Sequence, residues 1–241
     1  MQLDTSTPMR LAIIIPTLNE ERCIGQTLAH LTPLRARGVR VIVADGGSSD
    51  RTVSCAWQGA DAVVMAARGR ANQMNAGARH PLAEDADALL FLHADTQLPE
   101  GADRLVICSL SNAANAWGRF DVCLQGSARH AWALRLIAAM INLRSRLTGI
   151  ATGDQAIFIR RSAFVALQGF ASIALMEDVD LSRRAKVLSS PLCLRQQVVT
   201  SARRWERMGL WRTMVRMWWL RLAFYFGADP ADLARRYGNP R

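Results

Sequence analysis

The feature that most constrains the fold is an order of segments that occurs twice near the start of the chain: an apolar strand, a polar turn and a helical periodicity. Leu11 to Ile15 is an apolar, mostly β-branched run that ends at Pro16-Thr17. Val39 to Ala44 is a second apolar run, and the polar turn from Asp45 to Asp50 follows it. Two such units in succession predict a parallel sheet with helices packed on it.

The rest of the chain continues this α/β pattern. Ala62 to Met65 and Ala88 to Leu92 are predicted to complete four parallel strands. Trp117 to Leu124 alternates, and it is predicted to be a strand of reversed direction at the edge of the sheet. Further predicted elements are a helix at Ala131 to Leu147, a strand at Ala156 to Ile159 and a helix that begins at Glu177. A chain of 241 residues suits one α/β domain with a C-terminal appendage.

Asp95 lies where an apolar run, Leu89 to Leu92, stops at the polar sequence His93-Ala94-Asp95-Thr96. The carboxyl ends of strands in an open α/β sheet face the ligand crevice, so an acid there can hold a metal or a polar substrate group. Alternatively, Asp95 caps the next helix, because Asp-Thr ahead of Pro99 is good capping chemistry. This stretch alone leaves both interpretations open.

Composition narrows the class of partner. The formal net charge of +10, carried largely by arginine, indicates an anionic partner such as a nucleotide diphosphate, a phospholipid surface or a nucleic acid. Nucleic acid is disfavoured because the chain has no zinc-finger, RNP or basic-helix motif. The five cysteines are scattered and form no C-x-x-C pair, so no zinc site or disulfide framework is expected. The N-terminus lacks the pattern of a signal peptide, which predicts a cytoplasmic location.

Two segments, Ile13 to Glu21 and Asp45 to Thr52, resemble the two opening motifs of family-2 glycosyltransferases, which have the GT-A fold. The resemblance implies a mixed, mostly parallel sheet flanked by helices. It also implies an inverting, metal-dependent enzyme that moves a sugar from a nucleotide diphosphate sugar to a hydroxyl-bearing acceptor, either a small molecule or a lipid. We predict this domain over residues 1–205, and over residues 206–241 a helical appendage that is not an independent domain.

Within that family, the His-Ala-Asp-Thr and Arg-Arg-Trp sequences resemble a small bacterial branch linked to arsenosugar or carotenoid glycoside formation. Arg203-Arg204-Trp205 is similar to the end of the Q-x-x-R-W motif of membrane-associated transferases, with Ser201 in place of the glutamine. The missing glutamine disfavours a processive polymerase. Arg204 is predicted to hold the diphosphate, and Trp205 is predicted to stack on a sugar of the acceptor side.

The resemblance also assigns residues to donor binding. Residues that correspond to Pro16, Thr17 and Glu20 line the nucleoside pocket in that family, and the one that corresponds to Asp45 holds the base. Carboxylates at strand ends suit this task because they accept hydrogen bonds from ribose hydroxyls and from a base imide. An ordinary first-turn acid of a helix is the alternative for Glu20. The other residues with predicted donor contacts are Gly47, Ser48, Arg70 and Ala94, and Arg70 alternatively is a solvated arginine at a helix start.

The metal site departs from the family pattern. Family members usually carry an Asp-x-Asp triplet, and this chain has His93-Ala94-Asp95 in its place. Asp95 is therefore the predicted ligand of Mn²⁺ or Mg²⁺. His93 either coordinates Mn²⁺ or hydrogen-bonds the diphosphate through water. The metal would offset the charge that builds on the nucleotide diphosphate as it departs.

Glu177-Asp178 resembles the pair at which inverting members of the family place the catalytic base. Asp178 is predicted to take the proton from the acceptor hydroxyl, with Glu177 in support. Alternatively, both are first-turn acids favoured by the helix dipole. Gly153-Asp154-Gln155 is predicted on the acceptor side of the cleft, although a polar turn before a strand explains it equally well.

The tail from Leu210 to Phe226 interleaves large aromatic residues with Arg212, Arg216 and Arg221. It is too charged to span a bilayer comfortably, and it suits an interfacial helix on the inner face of the cell membrane, bound to anionic lipid. Alternatively, the tail covers the core. Two other functions also stay open: a nucleotidyltransferase, and a non-catalytic basic protein bound to membranes or nucleic acid.

Overall fold

The computed structural model describes residues 9–237, apart from the side chains of Arg204 and Arg207. Within this range, strands of one sheet alternate with helices, as the repeated strand, turn and helix pattern predicts. The strands are β1 (Leu11–Thr17), β2 (Arg40–Asp45), β3 (Ala62–Met65), β4 (Ala88–Phe91), β5 (Thr96–Gln97), β6 (Trp117–Gln125), β7 (Phe158–Arg160) and β8 (Leu192–Ser201).

The helices cover both faces of this sheet. They are α1 (Ile24–Ala36), α2 (Thr52–Ala56), α3 (Arg70–Ala78), α4 (Pro81–Glu84), α5 (Ala102–Ser111), α6 (Ala131–Thr148), α7 (Arg161–Ala166), α8 (Glu177–Ala185), α9 (Arg203–Met208), α10 (Leu210–Tyr225) and α11 (Pro230–Tyr237). One apolar layer packs α1, α5 and α6 on the sheet, and a second packs α3, α7 and α8 on the other face. Every residue of β1 is buried, as expected for a strand covered on both faces.

The strand order is β3-β2-β1-β4-β7-β6-β8-β5. The first four strands in this order are parallel, which confirms the prediction of a parallel half. β7 pairs antiparallel with both β4 and β6, and β6 pairs parallel with β8. The sheet is therefore mixed and mostly parallel, as predicted.

The prediction for Trp117 to Leu124 is wrong in both direction and position. β6 runs in the direction of β4 and lies inside the sheet, whereas β7 is the reversed strand between them. The polar residues behind the prediction are not at a solvent edge. Arg119 is fully buried and donates to Asp121, and Asp121 also accepts two hydrogen bonds from Arg146 on α6.

Asn142 of α6 ties this helix to β6. Its side chain accepts from Val122 N and donates to Val122 O, at 2.9 and 3.0 Å, as a neighbouring strand would. Arg119 also donates to the Asn142 carbonyl at 3.2 Å. Since buried polar groups are costly when they lack partners, these paired contacts hold α6 in one orientation on the sheet.

The C-terminal helices form a third apolar cluster over the segment that precedes α8. Leu220 of α10 and Leu233 of α11 are buried there with Leu175, Met176 and Val179. Throughout residues 9–237, no helix is both long and apolar enough to cross a membrane. The division into a domain up to residue 205 and a helical appendage stays a prediction.

We expect α3 to tolerate no methyl group at Gly77, because a Cβ there would lie 2.6 Å from Ile14 Cγ2 of β1. Overpacking of this kind costs about 1–3 kcal/mol, and the better helix propensity of alanine returns at most about 1 kcal/mol. Gly77→Ala should therefore lower the urea midpoint of unfolding. Gly25→Ala in α1 is the matched control, because nothing lies within 4 Å of its added methyl and its midpoint should stay or rise. Equal midpoints for the two variants would contradict the close packing.

Candidate active site

A cavity of about 750 Å³ lies at the carboxyl ends of β4, β6 and β8, and α6, α8 and α10 complete its walls. Carboxyl ends of strands are where open α/β folds bind ligands. Eight residues with predicted roles line it: Arg70, His93, Asp95, Gly153, Asp154, Glu177, Asp178 and Trp205. The structure thus brings donor-side, metal and catalytic candidates to one space, although they come from distant parts of the sequence.

The residues predicted to bind the nucleoside lie beside this cavity, at the ends of β1 and β2. Asp45 is buried, and its carboxylate accepts hydrogen bonds from Thr17 Oγ1, Gly47 N, Ser48 N and Ser48 Oγ. Four such bonds use the whole acceptor capacity of a carboxylate. Asp45 therefore shapes the turn from Gly46 to Ser49 in this structure, and it can accept a base N–H only after one hydroxyl turns away.

Gln73 of α3 is a residue to which the motifs assign no role. Its side-chain Nε2 donates to the carbonyls of Thr17 and Ala44, at 2.6 and 3.0 Å, and so joins the ends of β1 and β2. A Cβ on Gly46 would lie 3.0 Å from the Gln73 side chain, which explains a glycine there. Ala94, predicted to contact the donor, is buried, and its carbonyl accepts from Thr27.

Asp95 is held at the cavity by a chain of hydroxyls. Thr200 of β8 donates to Asp95, and it accepts from Thr96 with 2.8 Å between the two Oγ1 atoms. Burial raises the pKa of the Asp95 carboxyl above its usual value, while Arg203 and Arg70 act in the opposite direction. Two cations thus share the space around a partly dehydrated acid.

Arg203 lies close to two residues with predicted roles in donor or metal binding, Glu20 and Asp95. Its Nη2 lies 3.5 Å from Glu20 Oε2, and its charge acts on Asp95. The prediction favoured Arg204, whose backbone belongs to α9 and whose side chain lies outside the described part of the chain. Glu20 is therefore joined to the cavity through Arg203 and does not line it.

The Asp95 carboxylate suits a hard divalent cation, which prefers oxygen ligands, and the His93 imidazole suits a transition metal such as Mn²⁺. Asp95 and His93 both line the cavity, and no group of three His, Cys, Asp or Glu residues that could hold a metal occurs within residues 9–237. Mg²⁺ and similar ions are commonly held by one or two protein ligands together with substrate phosphates. A half-buried carboxylate whose pKa is raised by burial would gain from such a cation.

Gly153 contacts both the predicted metal ligand His93 and the predicted base Asp178. Its backbone N–H donates to Asp178 Oδ2 at 2.7 Å. A Cβ on this residue would lie 2.6 Å from His93 Nε2, so the imidazole ring rests against the glycine backbone. Any other residue at position 153 would displace the ring or the turn.

The two acids of α8 have different surroundings. Asp178 lines the cavity, and each of its oxygens accepts one backbone N–H, from Gly153 and from Val179. Glu177 is buried, and burial, with the neighbouring Asp178 charge in second place, raises its pKa to about 7. Met176 precedes them with φ +71°, a strained conformation that turns the chain into the helix at the cavity wall.

The turn predicted on the acceptor side divides its residues between two tasks. Asp154 lines the cavity, and its Oδ1 is buried without a hydrogen-bond partner among the described residues. Gln155 is fully buried, where it accepts from Thr152 N and donates to Asn142 Oδ1. Gln155 does not line the cavity, because its amide holds the turn, and its predicted place on the acceptor side stays a prediction.

The sequence from residue 12 to residue 167 matches the family model described as Glycosyl transferase family 2. Curated proteins offer no match. Three solved structures are similar in fold. S. aureus TarS in complex with UDP-GlcNAc has a TM-score of 0.63 and 15% sequence identity, and the match covers 80% of this chain and 58% of that chain. The mannosyltransferase PcManGT from Pyrobaculum calidifontis with GDP-Man and Mn²⁺ has a TM-score of 0.55 and 19% identity, with 81% of this chain and 59% of that chain covered. Glucosyl-3-phosphoglycerate synthase from Mycobacterium tuberculosis with Mn²⁺, UDP and phosphoglyceric acid has a TM-score of 0.56 and 17% identity, with 78% of this chain and 69% of that chain covered.

These likenesses confirm the GT-A fold prediction. The chain spans less than two thirds of the length of the TarS and PcManGT structures.

We expect Glu177→Gln to change how stability depends on pH. The folded protein holds this proton with a pKa of about 7, against 4.5 for an ordinary glutamate, so the wild type loses stability as the pH rises through that window. Glutamine carries no charge at any pH in this range. The stability of the variant relative to the wild type should therefore rise by about 1–3 kcal/mol between pH 5 and pH 8.

Urea unfolding of both proteins at the two pH values measures this difference. Glu100→Gln, at an exposed acid before α5, is the control. A stability difference between Glu177→Gln and the wild type that stays constant with pH would show that Glu177 is not held protonated by burial.

Proposed function

Because this chain belongs to glycosyl transferase family 2, we propose that it transfers a sugar, with inversion, from a nucleotide diphosphate sugar to a hydroxyl-bearing acceptor. The similar structures bind UDP-GlcNAc, GDP-Man or UDP, two of them with Mn²⁺, which supports this donor class. Family membership argues against the two alternatives, a nucleotidyltransferase and a non-catalytic basic protein. The narrower resemblance to the arsenosugar or carotenoid branch stays a prediction.

One observation carries the proposal. Asp95 and Asp178 come from different elements and line one cavity, and the contact of Gly153 with His93 and Asp178 joins their two sides. A glycosyl transfer needs a cationic side to receive the departing diphosphate and a carboxylate on the opposite face of the sugar to activate the acceptor. This cavity offers both.

On the donor side, Asp95 and His93 would hold Mn²⁺ or Mg²⁺, which supplies positive charge to the leaving diphosphate when bound. Arg70 and Arg203 act on Asp95 electrostatically, so both guanidinium groups lie within reach of a diphosphate bound next to this carboxylate. Thr200 orients the Asp95 carboxylate through its hydroxyl. The nucleoside would extend from there toward Pro16, Glu20 and Gly47.

On the acceptor side, Asp178 takes the proton of the acceptor hydroxyl while that oxygen forms a bond to the anomeric carbon. The bond from this carbon to the diphosphate oxygen breaks, and its electron pair leaves with the nucleotide. Two backbone N–H groups fix the Asp178 carboxylate, and each of its oxygens keeps acceptor capacity for the incoming proton. Burial raises the pKa of Glu177 to about 7, so near pH 7 this residue carries less negative charge than an ordinary glutamate would beside Asp178.

Two variants should separate binding from catalysis. Asp95→Asn replaces a carboxylate ligand by a neutral amide and should lose Mn²⁺-dependent nucleotide binding. Asp178→Asn should keep that binding, while hydrolysis of the bound nucleotide sugar falls about 10²-fold or more, the scale of a lost general base. Calorimetric titration with Mn²⁺ and a panel of UDP, GDP and dTDP sugars measures the first effect, and release of free sugar measures the second.

Matched controls exist on the same elements. Asp180→Asn changes an acid of α8 that pairs with Arg184, and Asp85→Asn changes an exposed acid ahead of β4, the opposite end of the strand that leads to Asp95. Both controls should keep binding and turnover. Normal hydrolysis by Asp178→Asn would show that another residue is the base. Undiminished Mn²⁺-dependent nucleotide binding by Asp95→Asn would show that Asp95 is not the metal ligand.

We also propose peripheral binding to the cytoplasmic face of an anionic membrane. Exposed apolar side chains of α6 and α10 form a surface that we call the apolar face: Trp132, Leu136, Leu143, Leu147, Trp211, Val215, Trp218, Leu222 and Tyr225. Five of these residues also line the cavity, namely Leu143, Leu147, Trp218, Leu222 and Tyr225. The apolar face is therefore continuous with part of the cavity wall.

Charge complementarity selects a lipid surface as the partner of the apolar face. Arg129 is exposed just before α6, Arg212 is exposed in α10, and the net charge of the chain is +10. Tryptophan and arginine both suit the headgroup layer, since each keeps one end wet while the rest is buried. In this proposal the helices beyond residue 205 serve as a docking appendage of the transferase domain.

Flotation with liposomes that contain anionic lipid tests the apolar face. The wild type should float at low salt and less at high salt, because each arginine near the surface contributes about 1 kcal/mol that salt screens. Trp211→Gln with Val215→Gln should reduce flotation. Val187→Gln, at a residue 86% exposed just after α8, is the control and should not. If the wild type does not float at low salt, the proposed membrane binding is wrong, and this outcome would favour a soluble acceptor.

A further inference from the structure

Two arginines of the cavity take no part in the proposed donor binding or proton transfer. Arg144 of α6 and Arg221 of α10 both line it. Arg144 Nε and Nη2 and Arg221 Nε are shielded from solvent and have no hydrogen-bond partner among the described residues. Buried guanidinium groups are costly unless they are paired, so this pair favours an anion from outside the chain.

The two guanidinium groups are close enough to repel each other. Burial lowers the pKa of Arg144 to about 10, and the charge of Arg221 is the next contribution in the same direction. The nearby Asp154 and Asp178 act the other way but do not outweigh these effects, and neither accepts a hydrogen bond from Nε or Nη2 of Arg144. A dianion between the two arginines would relieve their repulsion and use their free donors.

This pair is distinct from the cations of the donor side. Arg70 and Arg203 act on Asp95, whereas Arg144 interacts with Asp154 and Asp178. The anion would therefore lie on the side of the proposed base, where the acceptor must present its hydroxyl. Beside the arginines, the wall is apolar and includes Met140, Ile141, Met217, Trp218 and Leu222.

Resting on the proposed function, we propose that the acceptor is an amphipathic phosphate monoester, with its phosphate between Arg144 and Arg221 and its apolar part along α6 and α10. Two guanidinium forks match the charge and the several acceptor oxygens of a phosphate dianion. The apolar part of the acceptor would extend out of the cavity along the wall that the apolar face shares with it. A soluble phosphate ester would share the anion contact but would not use the apolar wall.

The test is calorimetric binding of decyl phosphate, kept below its micelle concentration, against decanol, inorganic phosphate and glycerol 3-phosphate. With the wild type, decyl phosphate should bind at least tenfold more tightly than each of the three. If decanol bound as tightly as decyl phosphate, the proposed anion site would be refuted. Glycerol 3-phosphate of equal affinity would overturn the apolar part of the proposal and indicate a soluble acceptor.

Arg144→Gln and Arg221→Gln should each weaken decyl phosphate binding at least tenfold, and Arg144→Lys should lie between Arg144→Gln and the wild type. Arg135→Gln is the matched control, because it removes the same charge from the exposed surface of α6 and should keep full affinity. Unchanged affinity in both glutamine variants would overturn the proposal. The comparison of ligands with the wild type needs no variant, so it decides even where a variant does not fold.

Binding of UDP, GDP and dTDP with Mn²⁺ to the same preparations separates this inference from the proposed function. Both glutamine variants should bind the nucleotide like the wild type. Loss of nucleotide binding in them would overturn the inference, because it would assign the two arginines to the donor side. A wild type that binds decyl phosphate but none of the nucleotides would contradict the proposed function and leave the anion site standing.

Discussion

The whole site depends on one close approach, that of the Gly153 backbone to both His93 and Asp178. Its N–H holds Asp178, and the absence of a Cβ leaves room for the imidazole ring. Gly153 is not among the residues with positive φ, so the requirement is for space and not for conformational freedom. Through this contact the segment after β4, the turn from 153 to 155 and the start of α8 keep their functional groups in one place.

The turn that carries Gly153 is itself held by a buried polar network. Gln155 binds Asn142 of α6, Asn142 binds Val122 of β6, and Arg119 binds the Asn142 carbonyl. Each member has partners, and loss of one would leave buried groups unsatisfied at a cost of about 1–3 kcal/mol. Because α6 also carries Arg144, the same network holds both the proposed base and the proposed acceptor contact in position.

The sequence was sufficient where local periodicity and burial agree. β2, β4 and the start of α8 follow from apolar runs and from turns, and they place Asp45, Asp95 and Asp178 at or just beyond strand ends and at a helix start. The predicted direction and edge position of β6 were wrong because an alternating sequence looks the same whether its polar residues contact solvent or form a buried ion pair.

Other residues were missed because a motif gives no orientation. Adjacent residues on a helix point about 100° apart, so the Arg-Arg-Trp sequence could not show that Arg203 lies beside Glu20 and Asp95. A polar turn likewise could not show that Gln155 faces inward. The motifs assign no role in the cavity to Arg144 and Arg221, because their place there depends on how α6 and α10 meet in space.

The arginines that give the chain its net charge of +10 have different surroundings, and only some of them relate to the proposed function. Some arginines are structural: Arg160 donates to the carbonyls of Asn115 and Asn112, and Arg184 donates to those of Leu167 and Gly169. The arginines of the cavity act in a partly dehydrated space, where a charge interacts far more strongly than at the surface. In the proposed function, a few local guanidinium groups would therefore select an anionic substrate, and the remaining positive charge would attract an anionic surface at longer range.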